Sequence, residues 1–409
     1  MSGPPIPDGW VETIGGRIVA TGQGLAVRNP LIDRDLGHVA LLPALVNAHT
    51  HLELSFLRGR IPPSTSFPAW VRTLLQVRGP AAAADPSAVE RDAIAAIAEA
   101  RASGTGIVGD VANTSVTVPW LAEAGLSTRV FFEMLGFSVP DATERVQAAR
   151  TTIEAARGAT APNDRISVGL APHAPYSVSP ALFGALRADL QSHPEDRSTV
   201  HLAESPEEVE FLQSGTGPFR ALLDDLGAWN PAWHPPGRSP ARYLEALGWL
   251  GRRVAVVHGV QFVEDDLVAL RDHDTAVIVC PRSNQHVGVG QPPLAAFYDA
   301  GLRVAVGTDS LASVADLNLF SELAQMRRVA PAVSARRLLQ SATAVGADVL
   351  GLAEEHGTLE VGRRADLIAV ALPSEIRHAG DVEEYLLTGI APDQVSWIDA
   401  SWMSGVPDQ

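Results

Sequence analysis

Lysine is absent from the sequence of 409 residues, so all 31 basic side chains are arginines. The absence excludes a lysine nucleophile, a Schiff-base mechanism and the phosphate-binding lysine of a P-loop. Cysteine is almost absent as well, since Cys280 is the single one. One cysteine excludes an intramolecular disulfide and is typical of a protein from a reducing compartment.

Positive charge is scarce, because 47 acidic residues outnumber the basic ones and give a formal net charge of −16. A chain this acidic lacks the positive field that nucleic-acid backbones require. No apolar run approaches the roughly 20 residues of a membrane span. Residues 1–16 lack the basic start and apolar stretch of a signal peptide. We therefore expect a cytoplasmic protein without a nucleic-acid or membrane partner.

Short apolar runs alternate with alanine-rich amphipathic stretches over most of the chain, which is typical of repeated βα units. The eight runs are Leu41–Asn47, Gly106–Val111, Thr128–Met134, Ile166–Ala171, Thr199–Ala203, Val254–His258, Ala276–Cys280 and Val304–Gly307. Their number and spacing predict an α/β fold, a (β/α)8 TIM-type barrel over residues 41–356. An open doubly wound sheet is the alternative, because periodicity does not reveal closure.

Both ends of the chain have turn-and-strand character. Residues 1–40 include the predicted strands Trp10–Ile14, Arg17–Thr21 and Leu25–Val27, and residues 357–409 return to the same pattern. We predict that the two ends form one small β-sandwich domain. Residues 215–251 form a long loop insertion rich in proline and tryptophan, which is either functional or a surface insertion.

Side chains of the kinds that bind metal ions, histidine and aspartate, lie at the ends of the predicted strands. His49 and His51 flank Thr50 at the end of the first run, and residues two apart on a strand point to the same side. Other strand ends carry His173, His201, His258 and Asp309. In a barrel all of them would converge at the carboxyl-terminal mouth, where catalytic residues of this fold lie. Two histidines in a loop would be the plain alternative for the first pair alone.

The motifs Asn47-Ala-His49-Thr-His51, His201-Leu-Ala-Glu204, Val257-His258-Gly259 and Gly307-Thr-Asp309-Ser resemble the amidohydrolase superfamily, in its branch of metal-dependent deaminases and chlorohydrolases. The segment Gly357-Thr-Leu-Glu-Val-Gly-Arg-Arg-Ala-Asp366 matches the same group. One departure is Ala44, where the family usually has glycine.

The resemblance implies that His49, His51, His201 and Asp309 hold one divalent metal ion. Zinc is favoured and iron(II) is the alternative, since imidazole and carboxylate ligands suit both. The missing lysine independently favours a single ion, because two-metal members of the superfamily usually bridge their ions with a carboxylated lysine. Another bridging carboxylate stays open.

Catalytic roles are expected for Glu204, His258 and Asp309. A metal ion lowers the pKa of water toward about 7, and Asp309 could accept the proton of that water as well as ligate the ion. His258 could orient the attacked carbon. Glu204 could carry the proton to a ring nitrogen as general acid and base. The alternative for Glu204 is a carboxylate that stabilises a helix N-terminus.

Substrate contacts are predicted for a further set of residues at the mouth: His173, Glu133, Arg282, Ser283, Asn284 and Trp70. His173 is assigned to substrate because the four ligand places are filled, and its alternative is an ordered loop histidine. Trp70 could stack on a flat ring or belong to the core.

Three features resemble the aminodeoxyfutalosine deaminases of menaquinone biosynthesis: His51-Leu-Glu-Leu-Ser55, Cys280-Pro-Arg-Ser-Asn284 and the insertion with Ser239-Pro-Ala-Arg-Tyr-Leu. The implied small-molecule substrate is an adenine nucleoside bearing a benzoate, which Arg282, Arg238 or Arg242 could bind. The alternatives are deamination of adenosine, methylthioadenosine or S-adenosylhomocysteine, chlorohydrolase-type hydrolysis of another aromatic ring, and a non-catalytic scaffold. The oligomeric state stays open, with a homodimer as one option.

Overall fold

The computed structural model describes residues 3–24, 33–159 and 165–398. The predicted strand Leu25–Val27 lies outside them. Thirteen strands are present in the described ranges: β1 Gly9–Ile14, β2 Arg17–Gln23, β3 Val39–Pro43, β4 Leu45–Thr50, β5 Thr105–Ala112, β6 Ser127–Met134, β7 Ile166–Pro172, β8 Ser198–Leu202, β9 Val254–His258, β10 Ala276–Val279, β11 Val304–Val306, β12 Leu367–Ala371 and β13 Val395–Ile398.

Fifteen α-helices occur in the same described ranges: α1 Phe67–Ala84, α2 Ala88–Ala102, α3 Thr117–Glu123, α4 Ala142–Ala159, α5 Pro180–Ser192, α6 Pro206–Ser214, α7 Pro218–Asp225, α8 Pro240–Ala246, α9 Glu264–Asp272, α10 Pro281–Val287, α11 Leu294–Asp299, α12 Leu319–Val329, α13 Ala335–Ser341, α14 Ala344–Val349 and α15 Ala379–Tyr385. In these parts of the chain, no helix combines the length and the apolar character that a membrane crossing requires.

Two parallel four-stranded sheets make up the α/β layers, with strand orders β4-β5-β6-β7 and β8-β9-β10-β11. Their strands are buried over almost their whole length, as parallel strands covered on both faces are. Each predicted run from the second to the eighth is one strand with ends within one residue of the prediction.

The edges of the two sheets meet at two seams. At one seam the Ser198 hydroxyl donates to the Leu170 carbonyl over 2.8 Å, which joins β8 to β7. At the other, the Asn47 side chain donates to Thr308 Oγ1 over 2.8 Å and accepts from the Thr308 amide over 3.1 Å. These contacts bring the carboxyl ends of β4 and β11 together.

Strands from both ends of the chain share an antiparallel sheet in the order β13-β12-β3. The hairpin of β1 and β2 joins the C-terminal part through the Ile18 amide, which donates to the Arg363 carbonyl over 2.9 Å. The two ends therefore associate as an antiparallel β structure. Its description as a sandwich, and the domain boundaries at 40 and 357, stay predictions.

The first predicted run, Leu41–Asn47, was wrong as a single strand. It is divided at Ala44 into β3 and β4, which belong to different sheets. The Ala44 amide donates to the Asp366 carbonyl over 2.8 Å, whereas the Leu45 amide donates to the Gly104 carbonyl over 2.9 Å. The chain changes hydrogen-bonding partners between these two residues, and apolar periodicity does not register such a change.

The residues from 334 to 350 have a continuous helical pattern in the sequence, but they form two elements, α13 and α14. The Ala342 carbonyl between them accepts the Val46 amide of β4 over 2.8 Å. A Cβ built on Gly346 would lie 2.8 Å from the Val46 Cβ. The break therefore lets α14 approach β4 closely at a glycine.

The segment 215–251 is a packed helical excursion and contains α7 and α8. Phe219, Trp233 and Trp249 are buried. The Trp233 ring stacks on Phe211 with a centroid distance of 4.8 Å. The predicted loop insertion therefore includes two short helices, which the sequence did not indicate because short helices with several prolines give little periodic signal.

The close contact at Gly346 yields a stability test. We expect Gly346→Ala to destabilise the protein by about 1–3 kcal/mol, because the new methyl group overpacks against Val46. The matched control is Gly184→Ala in α5, where an added Cβ meets no atom within 4 Å and helix propensity predicts a gain of up to ~1 kcal/mol. Denaturant unfolding measures both, and an unchanged Gly346 variant would contradict the packing argument.

Candidate metal centre

The candidate site is built at the carboxyl ends of β4, β8 and β9 and just beyond β11. His258 and Asp309 have positive φ angles of 78° and 61°, and so does Ala203 at 53°. Non-glycine residues rarely adopt this conformation, and it recurs where the backbone must aim a functional side chain. The apolar strands thus end in strained turns, and these turns direct the polar side chains toward the candidate site.

Four predicted ligands lie together. His49, His51 and Asp309 each offer a ligand atom within 4.8 Å of the others, and so do His49, His201 and His258. The Nε2 atoms of His49 and His51 lie 3.9 and 3.7 Å from Asp309 Oδ1. The ring centroids of His49 and His201 are 5.0 Å apart. The structure therefore brings together the ligand set that the sequence predicted.

The donor chemistry of this cluster fits a divalent ion. Both ring nitrogens of His49 are buried without a hydrogen-bond partner, which is costly unless something else satisfies them. His201 Nδ1 lies 3.0 Å from the His173 carbonyl and donates to it, which leaves Nε2 available as a ligand atom. Asp309 accepts Ser283 Oγ on one oxygen and the Ser310 amide on the other, over 2.5 and 2.8 Å. These contacts fix the carboxylate.

Burial sets the protonation of the imidazoles. It lowers the pKa of His51 and His201 to about 4, and the pKa of His49 well below its ordinary value. All three rings are therefore neutral near pH 7, which is the form that binds metal. Burial also raises the pKa of Asp309, which the Ser283 hydrogen bond opposes.

Glu204 and His258 form a second pair beside the cluster. Glu204 Oε1 lies 3.7 Å from His258 Nε2, and both side chains are buried. Asn284 Nδ2 donates to His258 Nδ1 over 3.0 Å, which places the ring proton on Nε2. Burial raises the pKa of Glu204 well above its ordinary value, and the charge of Asp309 adds to the rise. The pair is placed to hold and transfer a proton beside the cluster.

Glu204 does not take the place of a helix cap. The N-cap of α6 is Ser205, whose hydroxyl accepts the Glu208 amide over 3.4 Å. The carboxylate of Glu204 faces His258. This geometry favours the acid and base reading of Glu204 over the helix-dipole reading.

Most residues predicted to contact substrate also lie at the cluster. Glu133 Oε1 is 3.4 Å from His201 Nδ1, and the His173 ring centroid is 5.0 Å from that of His201. Ser283 and Asn284 hold Asp309 and His258, as described above. These four side chains surround the candidate metal ligands.

The other two predicted contacts, Arg282 and Trp70, make their observed contacts with residues outside the cluster. Arg282 donates to Asp316 over 2.8 Å and lies 3.6 Å from buried Glu322. Trp70 lies on α1 and stacks on Phe67 with a centroid distance of 6.3 Å. Within the described residues neither is brought into contact with the cluster, and their substrate roles stay predictions.

Sequence reasoning missed a chain of polar residues behind Glu133. Asn113 Nδ2 donates to Glu133 Oε2 over 2.9 Å, and the Asn113 amide donates to Glu53 Oε1 over 3.1 Å. Arg78 of α1 donates to the same Glu53 oxygen over 2.8 Å. The position of Glu53, two residues after His51, was a usable signal. Asn113 had none, because a lone asparagine after a strand is common.

A family profile, curated sequences and solved structures were compared with this chain, and their matches agree on one family. The amidohydrolase family profile matches residues 40–400. An aminodeoxyfutalosine deaminase from Deinococcus radiodurans is 32% identical over 86% of this chain and 83% of its own length. A 5-methylthioadenosine/S-adenosylhomocysteine deaminase from Syntrophobacter fumaroxidans is 30% identical, over 88% of this chain and 80% of its own. The crystal structure of a zinc-bound adenosine deaminase from Xanthomonas campestris superposes with a TM-score of 0.77 at 27% identity, covering 95% and 86% of the two chains.

The cluster geometry predicts the effect of removing one imidazole. We expect His201→Ala to purify with far less metal than the unaltered protein, because one of three nitrogen ligands is lost. His273→Ala is the matched control, since His273 is exposed and pairs with Glu245 on the helical layer. Elemental analysis of both proteins measures metal per chain. Equal metal content in the two variants would remove His201 from the ligand set.

Proposed function

Because the chain belongs to the amidohydrolase family, in which its relatives are deaminases, we propose that it hydrolyses the C–N bond of aminodeoxyfutalosine. This substrate is an adenine nucleoside that carries a benzoate. Water oxygen bonds to the ring carbon that bears the amino group, and ammonia leaves. The product is the hypoxanthine analogue. The observation that carries the proposal is the buried cluster of imidazoles and Asp309 beside the proton-holding pair of Glu204 and His258.

We propose that His49, His51, His201 and Asp309 hold one zinc ion, with iron(II) as the alternative. The unpartnered nitrogens of His49 and the three-nitrogen, one-oxygen donor set support this assignment. When bound, such an ion acidifies water and supplies a nucleophile near neutral pH. The chain's own residues then have to place the substrate and move the protons.

Glu204 is the proposed proton carrier. Burial raises its pKa well above the ordinary value, which favours the protonated carboxyl that can donate a proton to the ring nitrogen that gains charge during attack. It can then take up a proton and deliver it to the departing amine. His258, fixed by Asn284, presents Nε2–H toward the same space and orients the attacked carbon. Asp309 is the acceptor for the proton of the attacking water.

Aromatic side chains near the cluster support a flat aromatic substrate. Tyr176 lies edge-on to His173 with a centroid distance of 5.6 Å, and Phe219 of α7 stacks on Tyr176 at 3.8 Å. Phe67 and Trp70 of α1 continue the row. We propose that this row forms one wall of the substrate site.

Three arginines are candidates for binding the benzoate carboxylate, and they differ in whether an acidic residue of the protein already pairs with them. Arg282 is paired with Asp316, and Arg242 donates to Asp265 and Glu245. Both charges are thus neutralised in the protein. Arg238 is exposed, and of the three arginines we favour it for this contact.

We also infer that the two parallel sheets close into a (β/α)8 barrel. The seams at Ser198 and at Asn47 support closure, because each joins an outer strand of one sheet to an outer strand of the other. Asp309 lies across the second seam from His49, and its amide donates to the His49 carbonyl over 3.0 Å. Closure would explain why ligands from distant strands meet.

A panel of nucleosides tests the substrate. We expect ammonia release to be fastest with aminodeoxyfutalosine, compared with adenosine, 5-methylthioadenosine and S-adenosylhomocysteine. The similarity to the Syntrophobacter enzyme makes the last two the strongest competitors. A wide preference for any of the other three would overturn the specific assignment. Chloride release from a chlorotriazine, without ammonia from any nucleoside, would point to the chlorohydrolase alternative.

Replacement of the proton carrier tests the mechanism. We expect Glu204→Gln to keep its metal but to have a kcat that is lower by roughly 10²- to 10⁴-fold. The amide keeps the shape of the carboxyl group but cannot transfer the proton. Glu210→Gln is the control, because Glu210 is an exposed carboxylate and the fifth residue of the following helix α6. Steady-state ammonia release and elemental analysis are measured on both. A near-normal rate for Glu204→Gln would refute the proton-carrier role.

A further inference from the structure

Glu208 is a buried carboxylate that the mechanism above does not use. It is the third residue of α6, and Ser205-Pro-Glu-Glu208 has the pattern of a helix capping box. In the usual box the glutamate reaches back to the amide of the cap residue itself. Here it reaches further, because its two oxygens accept the amides of Ala203 and Glu204, over 2.9 and 3.1 Å. The carboxylate therefore holds the chain that precedes the helix.

This turn is held from its other side as well. The Leu202 carbonyl accepts the Gly259 amide over 3.1 Å, and the Ala203 carbonyl accepts the Gln261 amide over 2.8 Å. Ala203 has a φ of +53°, a conformation that persists only where its surroundings enforce it. Glu208 supplies the two bonds on the amide side of that turn.

The buried environment of Glu208 makes the loss of these two hydrogen bonds costly. Its side chain has no solvent exposure, so water cannot replace a lost acceptor for the two amides. Burial raises the pKa of Glu208 to about 8, and the two backbone hydrogen bonds oppose this rise. In a buried site an unpaired amide is costly. The turn would relax if the acceptor were removed.

We propose that Glu208 is a positioning residue that fixes the turn at Ala203 and so aims the Glu204 carboxylate at His258. The inference rests on the proposed role of Glu204. Glu208 contacts the backbone of Glu204 and acts on turnover through that residue. The competing interpretation is that Glu208 only stabilises the start of α6.

The first test is Glu208→Gln, which keeps the size but turns an NH2 group toward one of the two amides. We expect kcat to fall roughly ten- to a hundredfold, as a small misplacement of a catalytic group does. KM and metal content should stay close to those of the unaltered enzyme. The substrate is whichever nucleoside of the panel is turned over fastest, so the test does not depend on the substrate assignment.

Two controls separate positioning from helix stability. Ser205→Ala removes the cap hydroxyl of α6 and leaves the bonds from Glu208 to Ala203 and Glu204 in place. Glu210→Gln removes an exposed carboxylate of the same helix. We expect Ser205→Ala to lower the melting temperature with kcat nearly unchanged, and Glu210→Gln to change neither. An equal loss of kcat in Ser205→Ala and Glu208→Gln would overturn the proposal in favour of helix stability.

A double-variant cycle gives the sharpest readout. If Glu208 acts through Glu204, adding Glu208→Gln to Glu204→Gln should cause no further loss of kcat. Fully additive losses would overturn the proposal. If Glu208→Gln does not fold, Glu208→Asp keeps the carboxyl group but shortens the side chain by one methylene, and the same non-additive loss is expected.

Failure of the proposed function is distinguishable from failure of this inference. A protein that deaminates no nucleoside would refute the function itself, and a Glu204→Gln variant with full turnover would refute the proton-carrier role on which this inference rests. A normal kcat for Glu208→Gln, together with a large loss in Glu204→Gln, would refute only the positioning role.

Discussion

The hydrogen bond from the Asp309 amide to the His49 carbonyl, 3.0 Å long, is the contact on which the candidate site depends. It joins the first strand of one parallel sheet to the turn after the last strand of the other. Gly307 makes this approach possible, because a Cβ there would lie 2.5 Å from the same carbonyl oxygen. Without the contact, the carboxylate and the imidazole pair of His49 and His51 would belong to separate edges.

Burial then shifts the pKa of the imidazoles and the pKa of the Glu204 carboxyl in opposite directions, and both shifts suit the proposed chemistry. It lowers the pKa of the imidazoles, and it raises the pKa of Glu204. Neutral imidazoles are ligands for a cation, and a neutral carboxyl is a proton donor. One physical effect, desolvation, thus favours the protonation states that the proposed metal site and the proposed acid require, a few ångströms apart. The opposite directions arise because burial disfavours whichever form carries charge.

Much of this arrangement was predictable from the sequence, for an identifiable reason. The parallel strands are buried on both faces and read as continuous apolar runs, so a histidine or aspartate at the end of a run is conspicuous, as at His201 and Asp309. The division at Ala44 and the break at Ala342 were not predictable, because both depend on hydrogen bonds from other parts of the chain. The pairing of Arg282 with Asp316 was not predictable for a similar reason, since the two residues lie 34 positions apart in the sequence. Glu208 had a local signal, but a capping box does not reveal which amides its carboxylate reaches.

The helical segment 215–251 contributes an aromatic side chain to the row of rings near the cluster. Its Phe219 is almost fully buried and stacks on Tyr176, which in turn meets His173 beside the cluster. Arg72 of α1 pairs with Asp225 at the end of α7, so the excursion also contacts the helix that carries Trp70. The proposed ligands and proton carrier come from strand ends, whereas the proposed wall comes from α1 and α7. In this proposal catalysis and substrate choice rest on different parts of the chain, so the wall could vary without moving the metal ligands.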